Sequence, residues 1–336
     1  MNLVKITDFN ISLVIPALNA EVYLPGLLEK IETQTLLPKE IIIVDSSKSN
    51  NTADIIKNWR GVIPIIYQKV DFAYPGHARN IGIKLAKEDW IAFIDCRMLP
   101  IPDWLEITAL ESKNYNSDFV KALRTSDADT HFKKILRAST CGNEPTSTLA
   151  GSLVFKRVFE ESGYFIPSLR AGEDIEWMDR VELLGHKITE MKIPTIIYYG
   201  FPESLGETIK KWFVYALAKG KFEVRNDQKV IYLSFLISIS LFLILRWNEV
   251  MAQWNEDSFF FVPNITKIFL LFLFFSYMLY RGLIRPLKVK EKLSFLLPWR
   301  WLKIFLVGLC LDLAKAPGLI LGSIFLLKRT LRKKKL

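Results

Sequence analysis

The feature that most constrains this chain is a change of character near residue 229. Up to Lys229 the chain has 29 Lys and Arg against 30 Asp and Glu, whereas residues 230–336 have 16 against 5 and contain long apolar runs. The net charge of +10 therefore comes from the most apolar third of the chain. Basic residues that alternate with apolar runs are typical of membrane proteins, so this charge does not indicate binding of nucleic acid.

Three apolar stretches in this last third are long enough to interact with a membrane. Residues 230–247 and 259–280 are predicted to span it, because a span needs roughly 20 predominantly apolar residues. A third stretch, residues 301–327, is interrupted by Asp312, Lys315 and a Pro-Gly pair. Two alternatives stay open for it. The charge distribution favours a re-entrant hairpin that turns near the Pro-Gly pair, and the other alternative is a third span with the two charges paired inside a helix bundle.

The distribution of basic residues predicts which side of the membrane each segment occupies. The stretch before residue 230 and the loop after residue 280 are basic, whereas the loop between them is acidic. By the positive-inside rule the basic segments lie inside, and no secretory signal pattern precedes the first apolar run. We therefore expect a multi-pass protein of the inner (cytoplasmic) membrane, with residues 1–204 in the cytoplasm. Residues 205–229 are predicted to be an amphipathic interfacial helix or linker, and residues 230–336 the membrane region.

Before residue 205, short apolar runs alternate with amphipathic segments. The predicted strands are Ile11–Pro16, Glu40–Asp45, Ile63–Gln68 and Trp90–Asp95, and the predicted helices are Leu24–Thr33, Thr52–Trp59 and His77–Ala86. Alternation at this spacing predicts an α/β domain with a largely parallel sheet. Ligands of such sheets bind at the carboxyl ends of the strands. The polar residues that follow each apolar run are therefore the candidate functional residues.

The cysteines and histidines carry little functional signal. Cys96, Cys141 and Cys310 are too few for a disulfide framework, so a reducing compartment is expected. The three histidines are scattered without the spacing of metal ligands.

Polar clusters follow three of the predicted strands. Asn19 comes after the first strand, Asp45-Ser46-Ser47 after the second, and Asp95-Cys96-Arg97 after the fourth. Spacing alone leaves two roles open for Asp45, which are contact with a nucleotide and capping of the next helix. A helix start at Gly76–Gly82 offers free N–H groups and an arginine to an anion, although an ordinary surface helix has the same pattern.

Six motifs in this order resemble glycosyltransferase family 2. They are VIPALN at residues 14–19, IVDSS at 43–47, ARNIG at 78–82, WIAFID at 90–95, PIPDWL at 100–105 and GED at 172–174. The resemblance implies a GT-A fold, a Rossmann-like nucleotide-sugar-binding domain, followed in this chain by a C-terminal α-helical membrane region. It also implies transfer of a sugar from a nucleotide-sugar donor with inversion at the anomeric carbon.

The same resemblance assigns roles to individual residues on the donor side. The expected nucleoside contacts are Pro16, Asn19 and Asp45, and the residues expected near the nucleotide are Arg79 and Asn80. Asp95 would open the acidic motif that holds a divalent metal.

On the acceptor side, the resemblance implies that Asp174 takes the proton of the acceptor hydroxyl and that Glu173 orients it or the acceptor. General-base catalysis of this kind contributes typically 10²–10⁴-fold. Two adjacent carboxylates are also a common pattern at a helix start. The remaining acceptor-side candidates are Gly151, Ser152 and Trp177. Arg180 is expected to pair with Glu176, with the catalytic carboxylates or a phosphate as the alternative partner.

The acidic motif departs from the family pattern. The family usually has Asp-x-Asp, whose later carboxylate holds a divalent metal on the diphosphate, but this chain has Asp95-Cys96-Arg97. An arginine repels a cation, which argues against a firmly held Mg²⁺ or Mn²⁺. Either Arg97 partly replaces the metal at the diphosphate, or it points away and Asp95 still anchors a weakly held metal. Asp127-Ala128-Asp129 has the family spelling, but its polar surroundings are typical of a solvated turn.

The sequence therefore predicts an inverting glycosyltransferase that moves a single sugar from a nucleotide-sugar donor to a membrane-associated acceptor in glycan or polysaccharide biosynthesis. The stretch Ile209–Lys221 contains no Gln-x-x-Arg-Trp, the signature of processive members, which favours single addition. The expected partners are the donor, a lipid-linked saccharide or other membrane-surface acceptor, and membrane lipids. Polyprenyl phosphate itself is an alternative acceptor. A non-enzymatic alternative is an impaired homologue that binds nucleotide-sugar or glycan and scaffolds other enzymes.

Overall fold

The computed structural model describes residues 9–222 and 247–333. The predicted first span, residues 230–247, therefore lies outside the described residues except for its last position. The chain divides into two compact units, Met1–Asp127 with Pro145–Gly200, and Ala128–Glu144 with Phe201–Leu336. The predicted domain boundaries stay predictions.

The first unit is built on one eight-stranded sheet. Its strands are β1 Ile11–Ala17, β2 Glu40–Asp45, β3 Ile65–Lys69, β4 Trp90–Phe93, β5 Met98–Pro100, β6 Phe119–Ser126, β7 Thr146–Phe155 and β8 Ile188–Tyr198. The helices up to residue 183 are α1 Leu24–Glu32, α2 Asn51–Asn58, α3 Pro75–Leu85, α4 Trp104–Tyr115, α5 His131–Ser139, α6 Lys156–Ser162 and α7 Glu173–Leu183. All except α5 belong to the first unit.

The strands predicted from apolar runs form the parallel half of the sheet. The sheet order is β3-β2-β1-β4-β7-β6-β8-β5, and β1 pairs in parallel with β2 and β4, as β2 does with β3. All six residues of β2 are buried, as expected for a strand covered on both faces. The carboxyl ends of these four strands consequently lie along one edge.

The other half of the sheet is mixed, so the expectation of a largely parallel sheet holds only for β1 to β4. β7 runs antiparallel to β4 and β6, β8 is parallel to β6, and β5 is antiparallel to β8. The register of β6 against β7 shifts between Val120 and Ala122. The predicted fold class, a Rossmann-like α/β domain followed by C-terminal helices, is confirmed.

The second unit is helical. Besides α5 it contains α8 Leu205–Phe222, α9 Asn264–Leu279, a π-helical turn at Tyr280–Ile284, α10 Arg285–Lys288, α11 Leu293–Leu296 and α12 Arg300–Lys333. Two stretches, Ile265–Lys288 and Arg300–Phe325, are long and apolar enough to cross a membrane.

The hairpin predicted near Lys315–Gly318 is wrong, because α12 runs through it without a turn and contains Pro317. The charged residues that suggested a break are instead paired, with each other within α12 and with the π-helical turn. Lys315 Nζ lies 3.6 Å from Asp312 Oδ1, and Arg281 of the π-helical turn donates to Asp312 Oδ2 at 2.8 Å. This is the pairing of the other alternative, in which a third span carries the two charges.

The amphipathic helix predicted within residues 205–229 is α8, and it packs against α12 instead of lying alone on a leaflet. A Cβ on Gly318 would lie 2.7 Å from the carbonyl oxygen of Phe213, and one on Gly322 would lie 2.6 Å from that of Leu217. Glycines four residues apart let two helix backbones touch. The face of α8 that was predicted to meet lipid is therefore partly covered by α12.

Candidate active site

The ends of β1 and β2 are joined by a chain of hydrogen bonds. The backbone N–H of Asn19 donates to Ser47 Oγ at 2.7 Å, and Ser47 donates through its hydroxyl and its N–H to Asp45 Oδ1. Asn19 adopts a φ of +49°, a left-handed conformation that asparagine tolerates better than most residues. The structure thus places Asn19 and Asp45 together at the carboxyl edge, beside Pro16 at the end of β1.

Asp45 is completely buried and its carboxylate is saturated. Its Oδ2 accepts from Tyr67 Oη at 2.8 Å and from Lys69 Nζ at 3.1 Å. Burial alone would raise the pKa of Asp45, but the hydrogen bonds from Ser47, Tyr67 and Lys69 lower it below its ordinary value. Burial and this carboxylate raise the pKa of Tyr67. A nucleoside contact by Asp45 would have to displace one of these donors, and it stays a prediction.

Arg79, on α3, joins two parts of the site that are far apart in sequence. Its Nη2 donates to Asp95 Oδ1 at 2.7 Å and its Nη1 to Glu173 Oε1 at 2.8 Å. The side chain is almost fully buried, and its Nε has no hydrogen-bond partner among the described residues. Burial alone would lower the pKa of this guanidinium, but the carboxylates of Asp95, Glu173 and Asp174 raise it.

Two features of α3 bring Arg79 to this position. A Cβ on Gly76 would lie 2.9 Å from Glu173 Cγ, so glycine permits the close approach of α3 to the start of α7. Asn80 forms a two-way hydrogen bond with the backbone of Phe165, donating at 2.8 Å and accepting at 3.0 Å. Asn80, expected near the nucleotide, therefore has a bracing contact with the chain that leads to α7.

Glu173 and Asp174 begin α7 but lie in different surroundings. Glu173 is buried, and burial raises its pKa while the ion pair with Arg79 opposes this. Asp174 is partly exposed, and its Oδ1 accepts from the backbone N–H of Ile175 at 2.9 Å. Glu173 can therefore hold the charge cluster in place, whereas Asp174 is the one of the two that a hydroxyl group in solvent can reach.

The residues of the acidic motif fit a divalent metal poorly. Asp95 is engaged by Arg79, and the Cys96 thiol is buried 3.4 Å from the carbonyl oxygen of Pro16, with its pKa raised by burial to about 12. Arg97 is exposed, and its guanidinium lies 5.3 Å from the ring centroid of Tyr23. No group of three or more His, Cys, Asp or Glu that could hold a metal occurs in the described ranges.

Three residues expected on the acceptor side have packing roles. Ser152 is fully buried, and its Oγ accepts from Ala122 N–H at 2.9 Å where the register of β6 shifts. Gly151 has a φ of +97°, and a Cβ there would lie 2.3 Å from Ile196 Cγ1. Trp177 is fully buried and donates to the carbonyl oxygen of Gly163 at 2.9 Å. These contacts show how the three residues pack, and their role on the acceptor side stays a prediction.

Two subsidiary expectations are confirmed. Arg180 pairs with Glu176, with 2.9 Å between Nη2 and Oε2, and also donates to the carbonyl oxygens of Ser162 and Tyr164. Asp129 has a side chain 72% exposed and pairs with Lys133, as expected of a solvated turn.

Sequence reasoning missed Tyr67 and Lys69, the partners of Asp45, and Tyr23 beneath Arg97. A signal existed for the first two, because side chains two apart on a strand share one face. With β2 and β3 aligned in parallel, Asp45 lies opposite Lys69. Tyr23 had no comparable signal, since its contact depends on the loop before α1.

Comparison with known proteins finds a family match over part of the chain. Residues 12–169 match glycosyl transferase family 2. The chain therefore carries a glycosyl transferase family 2 domain, and the resemblance seen in its motifs is confirmed.

Three relatives show how far the similarity extends. The chain is 30% identical to chondroitin synthase of Escherichia coli over 29% of this chain and 14% of the relative. It is 37% identical to poly(ribitol-phosphate) beta-glucosyltransferase of Bacillus spizizenii, over 25% of this chain and 14% of that relative. It is 23% identical to glycosyltransferase AglE of Haloferax volcanii, over 64% of this chain and 73% of that relative. The chain thus spans a small part of the first two.

A solved structure, S. aureus TarS 1-349 in complex with UDP-GlcNAc, is similar with a TM-score of 0.46 and 18% identity, covering 62% of this chain and 66% of that one.

Proposed function

We propose that this chain is an inverting glycosyltransferase that transfers one sugar from a nucleotide-sugar donor to a membrane-associated acceptor. The observation that carries the proposal is the double ion pair of Arg79, which holds the strand-end carboxylate Asp95 and the α7 carboxylate Glu173 on one guanidinium. Donor-side and acceptor-side groups of a family 2 domain thereby meet at the carboxyl edge of the sheet, where such folds bind ligands.

The chemistry assigned to this site is a single displacement. Asp174 takes the proton of the acceptor hydroxyl, whose oxygen forms a bond to the anomeric carbon while the bond from that carbon to the diphosphate breaks. The nucleoside diphosphate leaves with the bonding electrons. One displacement from the opposite face inverts the anomeric configuration. Glu173 acts as a positioning residue through Arg79, because its own carboxylate is buried and engaged.

The leaving diphosphate needs positive charge. Arg79 is committed to two carboxylates, whereas Arg97 is exposed beside the strand end and has no carboxylate partner among the described ion pairs. A guanidinium can bind phosphate oxygens through two parallel hydrogen bonds. We assign this neutralising role to Arg97, and because the acidic motif fits a metal poorly, we expect transfer to continue without Mg²⁺ or Mn²⁺.

The membrane location rests on the second unit. Ile265–Lys288 and Arg300–Phe325 have the length and composition of spans, and the connection between them is basic, so the positive-inside rule assigns this connection to the cytoplasm. A catalytic domain tethered there would meet acceptors at the inner surface of the membrane. We therefore propose a lipid-linked saccharide as the acceptor class and a multi-pass inner-membrane location.

The experiment is a donor screen with purified full-length chain. UDP-, GDP- and dTDP-sugars are offered with lipid-linked saccharides, with bare polyprenyl phosphate and with no acceptor, each with and without excess EDTA. We expect a product of inverted anomeric configuration by NMR, formed in EDTA. Retention of configuration would contradict the mechanism, and strict metal dependence would contradict the role of Arg97. Donor binding without hydrolysis or transfer would favour the scaffolding alternative.

A further inference from the structure

A basic cavity lies in the helical unit, apart from the residues discussed above. It has a volume of about 520 Å³, and its lining includes Lys134, Arg137, Asn143, Glu291, Lys292 and Arg300. The lining comes from α5 and the segment just after it, and from the stretch between α10 and α12. All of these belong to the second compact unit.

The cavity has an unbalanced positive charge. Its one carboxylate among these residues, Glu291, is 2% exposed, and its two oxygens accept from Arg137 Nε at 3.1 Å and Asn143 Nδ2 at 3.0 Å. The other three cations, on Lys134, Lys292 and Arg300, form no ion pair with any residue in the described part of the chain. All three are exposed. Such a cavity is suited to an anion, and lysine and arginine together suit a phosphate group.

The position of the cavity indicates where that phosphate comes from. One candidate span ends at Lys288 and the other begins at Arg300, so the cavity is lined from the short connection between the two. The same connection exposes Leu293, Leu297 and Trp299, and the Trp299 side chain is 70% exposed. Apolar side chains with a tryptophan beside a helix end are typical of the membrane interface, where lipid headgroups lie.

We propose that this cavity binds the phosphate group of a membrane lipid. Lys134 approaches it from α5, and Lys292 and Arg300 approach it from the connection between the candidate spans. The apolar side chains next to Arg300 meet the chains of the same lipid layer. The inference goes beyond the proposed function, because binding of a lipid phosphate requires neither a sugar donor nor transfer.

The test is a binding titration of purified full-length chain in detergent with fluorescent phosphatidic acid, with fluorescent phosphatidylcholine as the neutral probe. The double variant Lys134→Gln/Lys292→Gln removes two lining cations. The control Lys288→Gln/Lys303→Gln removes two basic residues of the same region that do not line the cavity. We expect about a tenfold weaker affinity for phosphatidic acid in the first variant and less than a twofold change in the control.

Three outcomes would overturn the proposal. Equal losses in both double variants would mean general surface attraction, and no loss in either would mean that lipid binds elsewhere. Competition by inorganic phosphate at the concentration of the lipid would mean a site for free phosphate. Lys134→Arg/Lys292→Arg should retain binding, which separates loss of charge from loss of fold. Because no donor is present, these results are independent of any result on sugar transfer.

Discussion

Among the described residues, the sheet unit and the helical unit each contain an arginine that is 3% exposed and paired with carboxylate, but the hydrogen bonds of the two arginines are satisfied differently. In the helical unit, every nitrogen of Arg281 has a partner: Nε and Nη2 donate to Asp312, Nη1 donates to the carbonyl oxygen of Ser139, and Nη2 also reaches that of Gly308. Tyr277 donates to the same carboxylate at 2.9 Å.

The hydrogen bonds of Arg79, in the sheet unit, are not all satisfied in this way. Its Nε has no partner among the described residues, and one of its two carboxylate partners, Asp95, has a side chain that is 37% exposed. A third carboxylate, Asp174, adds to the negative charge around it. This difference indicates that a buried arginine holds helices together when each of its nitrogens donates to a buried protein group. A buried arginine can organise a site when a carboxylate that it binds is exposed to solvent and the carboxylates around it outnumber its single positive charge.

The largest expected effect separates these two arginines. Arg281→Met leaves Asp312 buried without its guanidinium, which should lower the free energy of unfolding by about 3–5 kcal/mol. Arg79→Met should cost less stability, because Asp95 can be solvated and the raised pKa of Glu173 favours uptake of a proton. It should instead lower transfer by about 10²-fold, since Asp95 and Glu173 lose their common anchor. Thermal unfolding in detergent and transfer per folded molecule are the two measurements.

Lys303→Met is the control for both variants. Because this side chain is exposed, the substitution should change the free energy of unfolding by no more than about 0.5 kcal/mol. If Arg79→Met destabilised the chain as much as Arg281→Met and left transfer intact, the two arginines would have the same role.

A smaller effect is expected at Asp45, which is buried and saturated as Asp312 is. Asp45→Asn should lower stability by about 2 kcal/mol at neutral pH, the contribution of a hydrogen bond to a charged group. The pKa of Asp45 is lower in the folded chain than its ordinary 3.8, so this stability is present above that pH and disappears as pH falls through the folded-state pKa.

Unfolding measured from pH 7 to pH 2.5 should therefore show the curves of wild type and Asp45→Asn converging below pH 4. The exposed Asp71→Asn should follow wild type throughout. If the free energies of unfolding of wild type and Asp45→Asn differed by the same amount at every pH, lost packing and not the charge would be the cause of the effect.

The smallest effect is expected at Arg97, which lies over Tyr23 and is paired with no carboxylate among the described ion pairs. Arg97→Gln should reduce transfer in EDTA about tenfold, equivalent to about 1.4 kcal/mol. Arg97→Lys should keep part of the activity because it keeps the charge. The exposed Arg60→Gln serves as control. Full activity of Arg97→Gln in EDTA would remove Arg97 from the diphosphate site.

The parallel half of the sheet could be predicted because its signals are local. Apolar runs and strand-end residues marked β1 to β4, and the motifs that resemble the family marked Arg79, Asp95 and Glu173. The contact of Arg79 with Glu173 joins residues 94 positions apart, so no local pattern contained it. The resemblance predicted that these groups serve one site, but not that one guanidinium would hold both carboxylates.

The contacts that the sequence did not reveal have a common physical reason. Ser152 and Trp177 were expected on the acceptor side from the family resemblance, but their polar atoms form hydrogen bonds inside the sheet unit. Asp312 suggested a break in an apolar helix because its partner Arg281 lies on another helix, and Lys315 did so although it pairs with Asp312 on the same helix. In each case a long-range contact decides what a polar residue does, and periodicity cannot show such a contact.

The central claim, that Asp174 is the base of a sugar transferase, is tested most directly by one pair of variants. Asp174→Asn and Asp179→Asn change the same group on the same helix, and only the first lies at the helix start beside Glu173. Transfer rate and donor affinity are measured for both in the full-length chain. Asp174→Asn should lower the rate by about 10²–10⁴-fold with donor affinity unchanged, while Asp179→Asn keeps the wild-type rate. A rate for Asp174→Asn within a few-fold of wild type would contradict the mechanism.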